Sequence, residues 1–255
     1  MKLYKYMCAQ YALEYLHTGK LKVSTLFDVN DPNEWIPYFS STDGSDYLAD
    51  KEKLLAFKNQ WGSKYGFVSL SAQMDSSIMW GHYGDKFKGV VLEFSVKDTN
   101  NLFPVRYQST RYFWDQHERD RPMTQEQMME FLAQKSNEWS YEAEWRFLVQ
   151  LSDCEVCRIV DNRPIYLCEP EGQKPPALVL SGVVLGPDCP LTFGHVLTAA
   201  GSSRQGCMTV KRMGFDSRTY ALTVCDIYPS SNGNVLHTNV RLHVTREVES
   251  LSGNE

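Results

Sequence analysis

The 255 residues, 42% of them hydrophobic, suffice for one large domain or two small ones with a real core. A net charge of -5 argues against a nucleic-acid coat protein, whose affinity comes from a basic field. No run approaches the ~18 consecutive apolar residues of a membrane span. The start Met1-Lys2-Leu3-Tyr4-Lys5-Tyr6 lacks the apolar region of a signal peptide, and seven scattered cysteines fit reduced thiols. A cytoplasmic chain without membrane contact is therefore expected.

Residues 2–8 are predicted to form a short strand and residues 9–18 a helix, with Tyr11, Leu13, Tyr15 and Leu16 apolar and Gly19 as its stop. Leu21 to Leu26 reads as a second strand, leading into the turn-rich Asp28-Val29-Asn30-Asp31-Pro32. Residues 40–50 read as loop and Asp50 to Gln60 as an amphipathic helix. Strands are expected over Gly66 to Ala72 and Gly89 to Ser95, on either side of Met79-Trp80-Gly81-His82-Tyr83-Gly84. Thr124 and Gln127 form a capping box opening a helix that places Met128, Phe131, Leu132 and Trp139 near one face. Further strands are expected over Trp139 to Arg146, Cys157 to Cys168, Leu178 to Gly186, Thr219 to Tyr228 and Val235 to Val244, with a short helix over Gly194 to Gly201. Strands that come in runs favour α+β over a doubly wound sheet. A single domain is expected over residues 1–246, with 247–255 a frayed tail.

Side chains alternate along a strand, so a strand over Trp139 to Arg146 puts Glu142, Glu144 and Arg146 on one face and Tyr141, Ala143, Trp145 and Phe147 on the other. Two carboxylates that close raise one another's pKa unless a cation such as Arg146 intervenes. On spacing alone the plainer reading is a solvent-facing strip, as antiparallel sheets commonly wet one face. Ser69 and Ser71 share a face opposite Val68 and Leu70, and Glu93, alone in an apolar strand, reads as a structural salt bridge. Lys5 by itself reads as an ordinary surface lysine.

Cys154 and Cys157 have CxxC spacing, but no second pair at zinc-ribbon spacing follows, and Cys168 and His195 are distant. No Walker-type or GxGxxG phosphate cradle and no GxSxG elbow occurs. Arg106 to Arg121, where Arg111, His117 and Arg119 interleave with Tyr107, Tyr112, Phe113 and Trp114, is the one candidate nucleic-acid patch, against the plainer reading of a solvated loop with tucked aromatics. His237 and His243 read as solvated strand positions.

Leu3-Tyr4-Lys5-Tyr6, Asn30-Asp31-Pro32, Ser69-Leu70-Ser71, Met79-Trp80-Gly81-His82-Tyr83 and Trp139-Ser140-Tyr141-Glu142-Ala143-Glu144-Trp145-Arg146 occur in that order across residues 3–190. The set resembles a widespread, largely uncharacterised bacterial family of unknown function, found also near phage-defence genes. That family in turn resembles the ADP-ribosyltransferases, whose serine class carries a basic residue on the first strand, a Ser-Thr-Ser strand and a Glu-x-Glu motif. Here Lys5 replaces the usual arginine or histidine, and Leu70 the threonine. The resemblance implies a mixed, mostly antiparallel split sheet with flanking helices, NAD as the donor and a macromolecular acceptor, protein or nucleic acid. For an intracellular toxin or antiphage effector it also implies a neutralising partner protein.

By the same resemblance Glu144 would hydrogen-bond a ribose hydroxyl and Glu142 would orient or deprotonate the acceptor. Ser69 would support the nicotinamide ribose, Ser71 would position Glu144, and Lys5 would bind a ribose hydroxyl or the pyrophosphate. Trp80 or Tyr83 would stack on nicotinamide, unless both pack in the core. Two rivals stand beside this reading: a binding or sensor module of the same fold, and a metal-dependent nuclease using Glu93, Glu142 and Glu144.

Overall fold

A computed structural model of the chain describes residues 1–31, 33–36, 38–39, 51–111, 113–114, 124–172, 177–205, 208–229 and 236–237. In chain order the strands are β1 Lys2–Met7, β2 Leu21–Val23, β3 Tyr38–Phe39, β4 Tyr65–Ser71, β5 Val90–Val96, β6 Leu102–Pro104, β7 Arg106–Gln108, β8 Phe113–Trp114 and β9 Gln134–Ser136. They continue with β10 Glu144–Gln150, β11 Glu155–Val160, β12 Arg163–Cys168, β13 Leu178–Leu185, β14 Thr209–Phe215, β15 Leu222–Pro229 and β16 Leu236–His237. The helices are α1 Ala9–Thr18, α2 Lys51–Gly62, α3 Ser77–His82, α4 Gln125–Leu132 and α5 Phe193–Gln205.

Helix α1 runs as expected, and Gly19 ends it in the left-handed conformation (φ 76°), donating its N–H to the Tyr15 carbonyl. Its buried face is Ala12, Tyr15 and Leu16, while Tyr11 is exposed, one position off the apolar stripe. The capping box forms: the Thr124 hydroxyl accepts from the Gln127 N–H, and the Gln127 side chain accepts from the Thr124 N–H. That helix stops at Leu132, so Trp139 belongs instead to a 3₁₀ turn over Asn137–Glu142. Strand β14 lies in a stretch where no element was expected, and β15 starts at Leu222 rather than Thr219. Residues 40–50 and nearly all of Val235 to Val244, including His243, lie outside the described residues, as does the tail 247–255.

The architecture is α+β. A nine-stranded sheet has the order β16-β15-β14-β13-β5-β1-β4-β10-β6, and the smaller sheet β11-β12-β2 lies beside it. Pairing within the large sheet is antiparallel except for β13 with β14, which α5 joins as a crossover. The main core gathers Leu3, Val68, Leu70, Leu92, Phe94, Phe147 and Val183 with Tyr15 and Leu16 of α1 and Val196 of α5. A second cluster, with Trp35, Trp61, Phe67, Phe131 and Leu148, lies beneath the β4–β10 pair, and a third holds Tyr6, Met79, Trp80 and Val91.

The strand register opens a split in the large sheet. Strand β1 matches β5 over six residue pairs and β4 matches β10 over seven, yet β1 and β4 share the single pair Tyr4↔Ser71. Farther along, the edge of β4 is taken by Ser24, which bridges Phe67. The sheet is thus split between Lys5-Tyr6 and Ser69-Leu70.

Candidate functional site

A cavity of about 210 Å³ occupies this split. Lys5, Ser69, Ser71, Tyr83, Glu142 and Glu144 all line it, so six of the seven expected site residues meet in one place. Trp80 does not. It is fully buried, donates its indole N–H to the Met74 carbonyl (2.8 Å) and packs edge-on against Tyr6. Stacking of Trp80 on a ligand is therefore corrected to core packing.

The glutamate motif is also corrected. Trp139 to Arg146 is not a continuous strand: the 3₁₀ turn ends at Glu142, Ala143 is left-handed (φ 43°), and β10 begins at Glu144. Side-chain and backbone contacts hold this break. The Ser71 hydroxyl donates to the Glu142 carbonyl (2.7 Å), Ala72 N–H donates to the Ala143 carbonyl (2.9 Å), and Glu144 N–H donates to the Tyr107 hydroxyl (2.7 Å). Ser71 thus anchors the backbone ahead of Glu144 rather than touching its carboxylate. Glu144 and Arg146 do share a face of β10; Glu142 reaches the same cluster from the turn.

Nor is the cluster a solvent-facing strip. Glu142, Glu144 and Arg146 are buried, at 4%, 6% and 3% exposure. Arg146 forms a two-pronged pair with Glu144, Nε to Oε1 at 3.0 Å and Nη2 to Oε2 at 2.9 Å, and its Nη2 also donates to Glu34 Oε2 at 2.8 Å. Its Nη1 donates to the Leu132 carbonyl, and its guanidinium lies over Phe67 and Trp35. Lys135 Nζ sits 2.7 Å from Glu142 Oε2, 2.9 Å from Glu34 Oε1 and 3.8 Å from Glu144 Oε2, above the Trp139 ring. Tyr83 donates its hydroxyl to Glu142 Oε1 at 2.6 Å and accepts from Asn30 Nδ2 at 3.4 Å.

These surroundings push the two carboxylates apart. Burial raises Glu142, and Lys135 and Tyr83 only partly oppose it, so its pKa stays above the usual carboxylate range. Burial acts on Glu144 in the same sense, but Arg146 outweighs it, with Lys135 and the Ser69 hydroxyl adding to the effect, and its pKa falls below that range. Lys135 and Arg146 are both lifted, the nearby carboxylates overcoming their burial. Lys5 differs. It lies deep in the fold with part of its surface open to the cavity, and burial lowers its pKa to about 8 against partial support from Glu144. It is not an ordinary surface lysine.

Glu34 and Lys135 are members of the site that the motifs did not single out. Glu34 follows Asn30-Asp31-Pro32 closely, and that motif is what delivers it. Asp31 accepts from Trp139 Nε1 (3.0 Å) and from Asn33 N–H (2.8 Å), tying the loop to the glutamate motif. Glu93 is a structural salt bridge as expected, paired with Lys2 at 2.5 Å and Lys211 at 2.7 Å, and it does not line the cavity. Among the described residues no group of three His, Cys, Asp or Glu side chains is placed to hold a metal, so the nuclease set is not assembled. Cys154 and Cys157 are free thiols. In the Arg106–Arg121 segment, Arg111 donates to the Asn33 and Ile36 carbonyls and Arg106 faces Glu130, so both serve local structure; 115–121 lie outside the described residues.

Fold and site together define an α+β protein with a buried cluster of carboxylates and cations at the split of a mixed, mostly antiparallel sheet. Residues 79–147, which run from α3 into β10 and include Tyr83, Lys135, Glu142, Glu144 and Arg146, match the model of a family described as Protein of unknown function (DUF2971). No curated protein and no solved structure matches the chain. No helix among the described residues is long and apolar enough to cross a membrane.

Proposed function

We propose that the chain is an NAD-dependent ADP-ribosyltransferase acting on a macromolecule, in the setting of an intracellular toxin or antiphage effector. The observation that carries this reading is the meeting of Lys5, Ser69 and Glu144, from three neighbouring strands, around one cavity. Three short motifs in order do not require such a meeting; a site does.

Transfer breaks the bond between ribose and nicotinamide through a transition state that gains positive charge at the ribose. Glu144, held ionised by Arg146, is suited to stabilise that charge more than the ground state. Glu142, whose pKa stands above the usual carboxylate range, is suited to take the acceptor's proton. This is the pattern of paired carboxyls whose environments separate their roles. Ser69 offers a hydroxyl beside Glu144. Lys5 is the cavity's one cation without an ion pair among the described residues, and so the one available to an anionic donor group.

The second reading is a non-catalytic binding module. It draws on the internal pairing of Glu34, Glu142 and Glu144, which lets the cluster stand as a self-contained structural device, and on exposed Val156, Ile159 and Val160 of β11. The test is nicotinamide release by purified protein, with added mass followed on co-incubated protein and RNA, beside Glu144→Gln. Release that disappears in the variant supports the transferase. Absence of release, with no thermal shift on adding NAD, transfers the assignment to the binding module.

A further inference from the structure

We propose that Lys5 is a nucleophilic amine and that the cavity takes an open-chain aldose or a similar polyhydroxylated aldehyde, held as an imine on Lys5 Nζ. This goes beyond the transferase reading and needs no NAD, so it stands or falls separately.

The geometry comes first. Lys5 lines the wall of the sheet split, and among the described residues its Nζ has neither hydrogen bond nor ion pair. That is unusual beside three carboxylates. Glu34, Glu142 and Glu144 are each already held by Lys135 or Arg146, which leaves the Lys5 amine uncommitted. A desolvated lysine near other cations is the usual form of an imine-forming nucleophile. Burial holds Lys5 at a pKa of about 8, so roughly a tenth of it is neutral at pH 7 and about half at pH 8.

The remaining lining fits the ligand class. Ser69, Asn30 and the Tyr83 hydroxyl offer partners for sugar hydroxyls, and at about 210 Å³ the space is below the range of drug-sized pockets. Glu142 is the proton carrier. The Lys5 lone pair attacks the carbonyl carbon, the carbonyl π pair passes to oxygen, and the ammonium proton moves to that oxygen to give a carbinolamine. Glu142 then protonates the hydroxyl, the nitrogen lone pair forms the second C–N bond, and water leaves. The product is a protonated imine; water is released and nothing is oxidised or reduced.

The probes are glyceraldehyde and ribose 5-phosphate, trapped with cyanoborohydride and mapped by peptide mass spectrometry on the full chain. At pH 8 an amine of pKa about 8 has roughly a hundredfold larger neutral fraction than an ordinary lysine near ~10.4. Part of that advantage is lost to lower basicity, so labelling of Lys5 is expected to be on the order of tenfold faster than at exposed Lys22, Lys64 and Lys88. The excess over the other lysines should persist at lower pH while all rates fall, and shrink as pH rises from about 8 toward ~10.4 and those lysines deprotonate; labelling of Lys5 should saturate with aldose concentration. Labelling of Lys5 no faster than at those lysines overturns the nucleophile, and a strictly linear concentration dependence overturns the binding site. Lys5→Arg should abolish the fast phase. Should that variant fold poorly, the comparison among lysines of the unaltered protein decides the matter alone.

Discussion

Replacing Lys135 with methionine tests whether the cluster is balanced as its geometry indicates. Glu34, Glu142 and Glu144 face Lys135 and Arg146, one net negative charge in a buried space; without Lys135 the surplus becomes two. Deleting one partner of a buried pair costs about 3–5 kcal/mol, and loss of the ammonium over Trp139 adds about 0.5–1 kcal/mol. At this chain length each kcal/mol moves the melting temperature by about 2–4 °C, so a fall of about 7–24 °C is expected. The pH dependence is the sharper part. In the folded protein Glu142 is already raised by burial, and Lys135 is what restrains it. Without that restraint its folded pKa climbs further above the unfolded value. The penalty is then fully present above the folded pKa and is relieved as pH falls and Glu142 takes a proton. Urea denaturation at about pH 8 and about pH 5.5, for both proteins, should show a larger loss at the higher pH. A loss under about 1 kcal/mol, or one equal at both pH values, would refute the reasoning.

Tyr83→Phe removes the donor at 2.6 Å from Glu142, a hydrogen bond to a charged group worth about 1.5–3 kcal/mol, and lets the Glu142 pKa rise. The acid limb of the pH profile of NAD turnover should move upward, and an unmoved limb would show that Glu142 is not the titrating group. The folded Lys5 pKa of about 8 lies below the ordinary value, so its ammonium costs stability below pH 8, and the cost fades as pH rises toward ~10.4. Lys5→Met should therefore melt above the unaltered protein at pH 7 and converge with it near pH 10; equal melting at both would contradict the assignment. Trp80→Ala should lose about 3–5 kcal/mol in chemical denaturation, as a fully buried indole does, and a surface-like loss would return Trp80 to the list of ligand contacts.

Local signals were legible where local physics decides. The helix before Gly19, the Thr124–Gln127 capping box, the strands around Val68 and Leu92 and the structural pairing of Glu93 each rest on periodicity, a cap or a lone buried charge. The glutamate motif was legible as important but not in shape. Alternation predicts one strand through Glu142 and Glu144, whereas Ser71 and Tyr107, distant in the chain, supply the hydrogen bonds that turn the backbone at Ala143. Composition likewise gives no hint that these carboxylates are buried, because burial depends on what covers them. Here the cover is Asp31, residues 33–35 and α4, brought in by Asp31, Trp35 and Leu132.

By itself the sequence determined which residues carry charge, which segments can be helix or strand, and the order of the motifs. Tertiary structure decided that β1 and β4 part after the pair Tyr4↔Ser71, that Glu34 and Lys135 complete the cluster, and that Trp80 belongs to the core while Tyr83 faces the cavity. The physical reason is that propensity and periodicity act over a turn or a strand. Charge balance and desolvation, by contrast, are set by neighbours far along the chain, 112 positions apart for Glu34 and Arg146.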